Sequence, residues 1–300
     1  MLLIFDATVS VRYGKEQAGA EVGYNPHKKG RPSHHPLVGF LDTGDCVSVR
    51  WRPGNAHCAE GIEEELPKAV AWLRAQGVKR ITVRLDKGFF SRAMVELLQS
   101  LGVDFVLKMQ EANTLQRFKG PFKRYLHDPR LTVSEGEWAG VRMLCVREWE
   151  DPGEGELALG HVVLQKQATV LTNIPHLDAV EAWRLYNRGA VVEHRIKELG
   201  QLGVGQTAID DLGGNRLLWS MGALAYQLLH FLRTVGLPET WRTAEVKTLR
   251  NWLIRMPGKL VRHARTLCVK LISADPLTHL LLDAIQKVQR LRGPTLLLRS

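Results

Sequence analysis

Residues 79–109 read KRITVRLDKGFFSRAMVELLQSLGVDFVLKM. The opening part, 79–86, alternates polar and apolar side chains as a strand does, and it closes on Asp86. Helical spacing follows over about 91–101, and VDFVLKM at 103–109 returns to strand character. A strand, a helix and a second strand in that order form the unit from which sheets with crossover helices are built.

Upstream, the apolar run MLLIF at 1–5 suits a buried strand that delivers Asp6 at its end. The Gly- and Lys-rich stretch GYNPHKKGRPSHHP, 23–36, reads as a loop and contains Lys28, Lys29 and Arg31. Strands follow at about 36–42 and 46–51, with TGD at 43–45 as the turn between them. Residues 59–75 have helical spacing, early Glu residues that suit the positive end of a helix, and Gly77 just past the end.

Downstream, 110–165 changes character. Clusters such as KGPFKRY and EWEDPGEGE alternate with strand-like pieces such as VRMLCVREW, so this region reads as a β-rich insertion. QATVLTNIP at 167–175 returns to strand. Beyond Leu177 helical spacing dominates: the segment 177–202 includes Glu193, residues 215–235 form a strongly apolar helix with Trp219 and Tyr226 as core candidates, and a Leu-rich helix covers 277–291. VRHARTLCVKLI at 261–272 fits a strand or a helix. The expected organisation is a core of 1–109 with 166–235, a β-rich insertion at 110–165, and a basic, mainly helical C-terminal region at 236–300.

The chain has 300 residues, 45% hydrophobic and 24% charged, as an ordinary globular protein has. Its net charge is +10. Residues 239–300 hold 12 basic and 4 acidic residues, a net +8, which leaves +2 for the other 238. A basic balance favours a polyanionic partner, and its concentration at one end points to phosphates. Cys46, Cys58, Cys145 and Cys268 form no C-x-x-C pair, which suits a reducing cytosol. The N-terminus lacks a signal-peptide pattern, and no stretch approaches ~18 charge-free apolar residues. The expectation is a soluble, cytoplasmic protein that is not associated with a membrane.

Two strands that each end in aspartate place acidic groups where open α/β sheets collect their functional residues. Neighbouring carboxylates repel unless a cation lies between them, and hard divalent ions, Mg²⁺ above all, take such oxygen ligands. A third carboxylate from a helix would complete a two-metal site suited to in-line phosphoryl displacement. Either Asp alone is more often a turn former or helix cap than a catalytic group, and spacing does not single out Glu193 among the Glu residues.

Several ordered motifs then match one family. FDATVSVRYGKEQAGAEVGYNPHKKGRPSHHPL, RPGNAH at 52–57, VRLDKGFFS, YNRGAVVEHRIKEL and LLWSMGALAYQLLHFLR together resemble bacterial insertion-sequence transposases of the DDE class, in the branch with a β-rich insertion between the second Asp and the Glu. The resemblance covers nearly the whole chain. It implies an α/β, RNase H-like mixed sheet flanked by helices, with Asp6, Asp86 and Glu193 as catalytic metal ligands for two Mg²⁺ ions, Mn²⁺ being a substitute. It implies double-stranded DNA as partner, at inverted-repeat ends and target, and a homodimer in the DNA complex. Tyr186, Arg188 and Lys197 match the Tyr/Arg/Glu/Lys pattern of the family's Glu-bearing helix only loosely. With Lys28, Lys29 and Arg31 they are expected to contact DNA.

Two other readings are a truncated remnant that only binds DNA and a different RNase H-like nuclease. His34 and His35 make a poor ligand pair, since adjacent strand residues face opposite ways. Trp138 and Trp149 could stack on a displaced base, but packing is the plainer expectation.

Overall fold

The computed structural model describes residues 1–13, 17–26, 28–110, 121–149, 164–202, 209–263, 266–272 and 275–291. The parts of the expected insertion at 111–120 and 150–163 lie outside the described residues. The chain divides into two compact units, Met1–His194 and Arg195–Ser300.

The first unit contains β1 (Leu2–Ala7), β2 (Ser10–Val11), β3 (Glu21–Val22), β4 (Pro32–His34), β5 (Leu37–Leu41), β6 (Cys46–Arg50), α1 (Ile62–Ala75), β7 (Thr82–Leu85), α2 (Arg92–Ser100) and β8 (Asp104–Lys108). It continues with β9 (Lys123–Tyr125), β10 (Asp128–Trp138), β11 (Val141–Trp149), β12 (Leu164–Thr172), α3 (Ala179–Asn187) and the start of α4 (Ala190–Gly200).

Among the described residues nine strands form one sheet in the order β6-β5-β1-β7-β8-β12-β11-β10-β9. The first five carry the RNase H-like arrangement: β5 and β6 are antiparallel to their neighbours, and β1, β7 and β8 run parallel. The strands of 123–149 do not form a separate sheet. They extend this one past β8 by antiparallel pairing.

β1 reads as an unbroken apolar run because both faces of the sheet are covered there. Leu3, Phe5, Val83, Leu85, Phe105 and Leu107 face one core together with Ile62, Leu66, Val70 and Leu73 of α1 and Met94, Val95 and Leu98 of α2. Val106, Leu144 and Val170 face the other, with Val180, Ala182 and Tyr186 of α3. Each buried large aliphatic side chain contributes roughly 1.5–3 kcal/mol.

The helices start where their caps dictate. The Ser91 hydroxyl accepts the Met94 N–H at 3.0 Å, and Asp178 and Glu181 form a reciprocal capping box at α3. The loop after β6 is pressed against β4: a Cβ on Gly54 would stand 1.9 Å from the Ser33 carbonyl oxygen, so only glycine permits the crossing.

The second unit holds the remainder of α4, then α5 (Leu212–Phe231), α6 (Val246–Leu249), a hairpin of β13 (Gly258–His263) and β14 (Thr266–Leu271), and α7 (Pro276–Arg290). Trp219 and Tyr226 are buried, as core residues are. The segment 261–272, open between helix and strand in the sequence, contributes to both arms of the hairpin.

Candidate active site

The pairing of β1 with β7 sets Leu2 opposite Thr82, Leu3 opposite Val83 and Ile4 opposite Arg84. That offset of 80 residues equals the interval from Asp6 to Asp86, so two further steps along the register bring the aspartates abreast. Paired residues of adjacent parallel strands share a face and lie on strands ~4.8 Å apart.

The electrostatics agree with that placement. Burial lifts the Asp6 carboxyl from 3.8 to about 6, the charge of Asp86 lifts it too, Arg84 and the Ala7 N–H oppose the rise, and Glu193 adds a smaller upward push. Asp6 Oδ1 accepts the Ala7 N–H at 2.8 Å. Asp86 caps the short 3₁₀ turn Lys87–Phe89, its Oδ1 accepting the Gly88 N–H at 2.8 Å. The capping role and the acidic cluster therefore coexist in one residue.

Glu193 is exposed on α4. Its charge reaches both Asp6 and Tyr186, but it does not line the cleft of about 660 Å³ that opens on Asp6 and Asp86. Among the described residues no three His, Cys, Asp or Glu side chains form a ready cation cage. The donor set itself fits a hard divalent ion. The charge of Asp86 raises the proton affinity of the partly desolvated Asp6, and a cation between them would relieve that repulsion.

Arg84 belongs to this site although the sequence did not single it out. It is 8% exposed, and its guanidinium stacks 4.2 Å from the centre of the Tyr186 ring while Nε donates to the Tyr186 carbonyl at 3.2 Å. A Cβ on Gly189 would stand 2.4 Å from that guanidinium, so any side chain there would force Arg84 to shift. The signal was present: Arg84 lies two residues before Asp86 on a strand, hence on the same face. Tyr186 is mostly buried. Burial pushes its hydroxyl up to about 12, with Arg84 pulling it down and Asp86, Asp6 and Glu193 pushing it further up.

The basic loop is organised around an exposed ring. Lys28 donates to the Tyr13 hydroxyl and lies 4.8 Å from the ring centre, with Arg31 5.2 Å from it. The Lys28 N–H donates to Asn25 Oδ1 at 2.9 Å, and the Arg31 N–H to the Lys28 carbonyl at 3.2 Å. Tyr13, 67% exposed, is a second residue missed from sequence. Lys29 is exposed in the same loop, Arg188 is exposed at the end of α3, and Lys197 is exposed one helical turn beyond Glu193.

Trp138 packs 5.0 Å from the Phe90 ring, and Trp149 Nε1 donates to Thr132 Oγ1 at 2.9 Å, so both belong to the packing of the sheet. His34 and His35 face different surroundings: His34 packs on Trp51, and His35 lines the cleft.

No curated protein matches the chain. Among solved structures, a piggyBac transposase synaptic complex with hairpin DNA is similar at 11% identity and a TM-score of 0.45 over 98% of this chain. The present chain spans about half (55%) of that protein's length. The family model described as "Transposase DDE domain group 1" matches residues 1–293, and the chain belongs to that family.

Proposed function

We propose that this chain is the catalytic core of a DNA transposase that cuts a phosphodiester at the end of an insertion sequence and joins the freed 3′-hydroxyl to target DNA. The observation that carries this reading is the pair Asp6 and Asp86, brought abreast by strand register with a carboxyl proton held up to about 6. Asp6, Asp86 and Glu193 would hold the divalent ions, two Mg²⁺ with Mn²⁺ as substitute. When bound, such ions lower the charge barrier at the attacking and leaving oxygens of an in-line displacement.

The protein's own groups do the rest. Arg84 sets a fixed positive charge beside the carboxylates and ties α3 to the sheet. Lys28, Lys29 and Arg31, with Arg188 and Lys197, are exposed cations suited to phosphate oxygens, which position a duplex without reading its sequence. Tyr186, also expected at the DNA, enters through its support of Arg84, since its ring is buried.

In this reading 1–109 with 166–235 form the core, 110–165 an insertion and 236–300 the basic region. The partners are inverted-repeat ends and target duplex, held by a homodimer in the bacterial cytoplasm at the nucleoid. Among the described residues no helix is long and apolar enough to cross a membrane.

The test is Asp86→Ala. It should abolish Mg²⁺-dependent cleavage of inverted-repeat DNA while a gel shift still reports binding; cleavage that survives the substitution overturns the reading.

A further inference from the structure

The two adjacent histidines of PSHHP are built differently. His34, 0% exposed, commits both ring nitrogens to the fold: Nδ1 accepts from Arg12 Nε at 3.1 Å, and Nε2 lies 3.0 Å from the Ala18 carbonyl oxygen. His35, 3% exposed, commits only one. Its Nδ1 lies 2.8 Å from the Ala56 carbonyl oxygen, which can only accept, so Nδ1 carries the proton and Nε2 holds a lone pair. Among the described residues none bonds Nε2, and His35 lines the cleft with Asp6 and Asp86.

The rest of His35 is pinned. Its N–H donates to the Arg52 carbonyl at 3.2 Å, and its own carbonyl accepts from Arg52 Nε at 2.7 Å. Arg52 Nη1 reaches the carbonyls of His57, Cys58 and Glu60 at 3.0, 3.0 and 2.6 Å, fixing the loop that presents Ala56. A buried guanidinium devoted to backbone carbonyls is a demanding support, of the kind that holds a functional side chain in one orientation. Burial also keeps the His35 imidazole below its usual pKa, and so a neutral acceptor.

We propose that His35 is a catalytic residue whose Nε2 accepts a hydrogen bond from the O–H of the attacking oxygen, water in strand cleavage and the terminal 3′-hydroxyl in strand transfer. Phosphate diester oxygens have no proton to offer, so the acceptor selects the nucleophile and turns its lone pair toward the phosphorus. The proposal rests on the transposase reading above.

His35→Asn tests it, because the Asn Nδ2 can keep the bond to Ala56 while the Nε2 acceptor is deleted. Two substrates separate the nucleophiles: uncut ends, and pre-cut ends carrying a 3′-hydroxyl with target DNA. The variant should lose on the order of 10²-fold in both, with unchanged melting and DNA binding, and His35→Gln should recover part of the loss. Imidazole ¹⁵N spectra of the wild type should show the Nδ1–H tautomer, with Nε2 shifting for DNA ending in 3′-OH and not for DNA ending in 3′-H.

Full activity of His35→Asn, or an Nε2 resonance indifferent to the 3′ group, overturns the proposal. Loss with one substrate alone retains it for that nucleophile and overturns it for the other. A wild-type chain that cuts and joins nothing sinks the transposase reading instead, and the ¹⁵N shift, read without turnover, still decides about His35.

Discussion

Asp6 sits where burial and the neighbouring Asp86 lift its carboxyl from 3.8 to about 6. The unfolded chain takes up that proton near 3.8, so between roughly pH 4 and 6 the folded protein binds more protons than the unfolded one. The stability linked to this group is therefore full below the window, falls as pH rises through it, and stays low above about pH 6. The difference is on the order of 3 kcal/mol. In a chelator, Asp6→Asn should melt several degrees above wild type near neutral pH and level with it in acid, followed by scanning calorimetry. Added Mg²⁺ should raise the wild-type melting temperature and leave the variant's unchanged. Equal melting of the two proteins near neutral pH in chelator would remove Asp6 as the strained carboxylate. At this scale the sequence exposed Asp6 and Asp86 as strand-terminal acids, and the family resemblance supplied Glu193. Arg84, Tyr13, Arg52 and the place of His35 at the cleft went unread, since each depends on residues distant in the chain.

Elements were legible where one period dominates. α1, α2 and the strands of the β1–β7–β8 run fall within a few residues of their expected places, because alternation and helical spacing are local properties. The segment 261–272 stayed ambiguous because a short apolar-and-basic run fits both periods, and the pairing partner that made it a hairpin begins outside it, at Gly258. In the second unit the packing turns on a charge cluster that no pattern announced. Glu198, 0% exposed, receives Arg233 Nη1 and Arg195 Nη1, each at 2.7 Å, and also the Val246 N–H at 3.1 Å. Arg233 is itself 1% exposed. Glu198→Ala would leave that guanidinium buried without its partner, which costs about 3–5 kcal/mol. Chemical denaturation followed by tryptophan fluorescence should register that loss, and Glu198→Leu combined with Arg233→Met should recover much of it. A loss under about 1 kcal/mol for the single variant would mean that the pair is dispensable.

Across the molecule, the proposed reading makes DNA binding a matter of charge. The chain carries +10, of which +8 falls within residues 239–300, so much of the affinity should be electrostatic and salt-sensitive. Replacing Lys28, Lys29 and Arg31 together by Ala should flatten the slope of log K against log salt by about 0.9 per lost phosphate contact, hence roughly 2–3 in all. Fluorescence anisotropy over a salt series measures this, and an unchanged slope would take the loop out of the interface. The amino-acid order by itself determined where the strands and helices of the β1–β7–β8 run lie, that two strands end in aspartate, and that the basic excess lies at one end, since these are readable from neighbours in the chain. Only the tertiary structure decided that an offset of 80 residues sets Asp6 beside Asp86, that Gly189 makes room for Arg84, and which of two adjacent histidines faces the cleft. Register, close approach and facing depend on pairings between distant segments, and no local period encodes them.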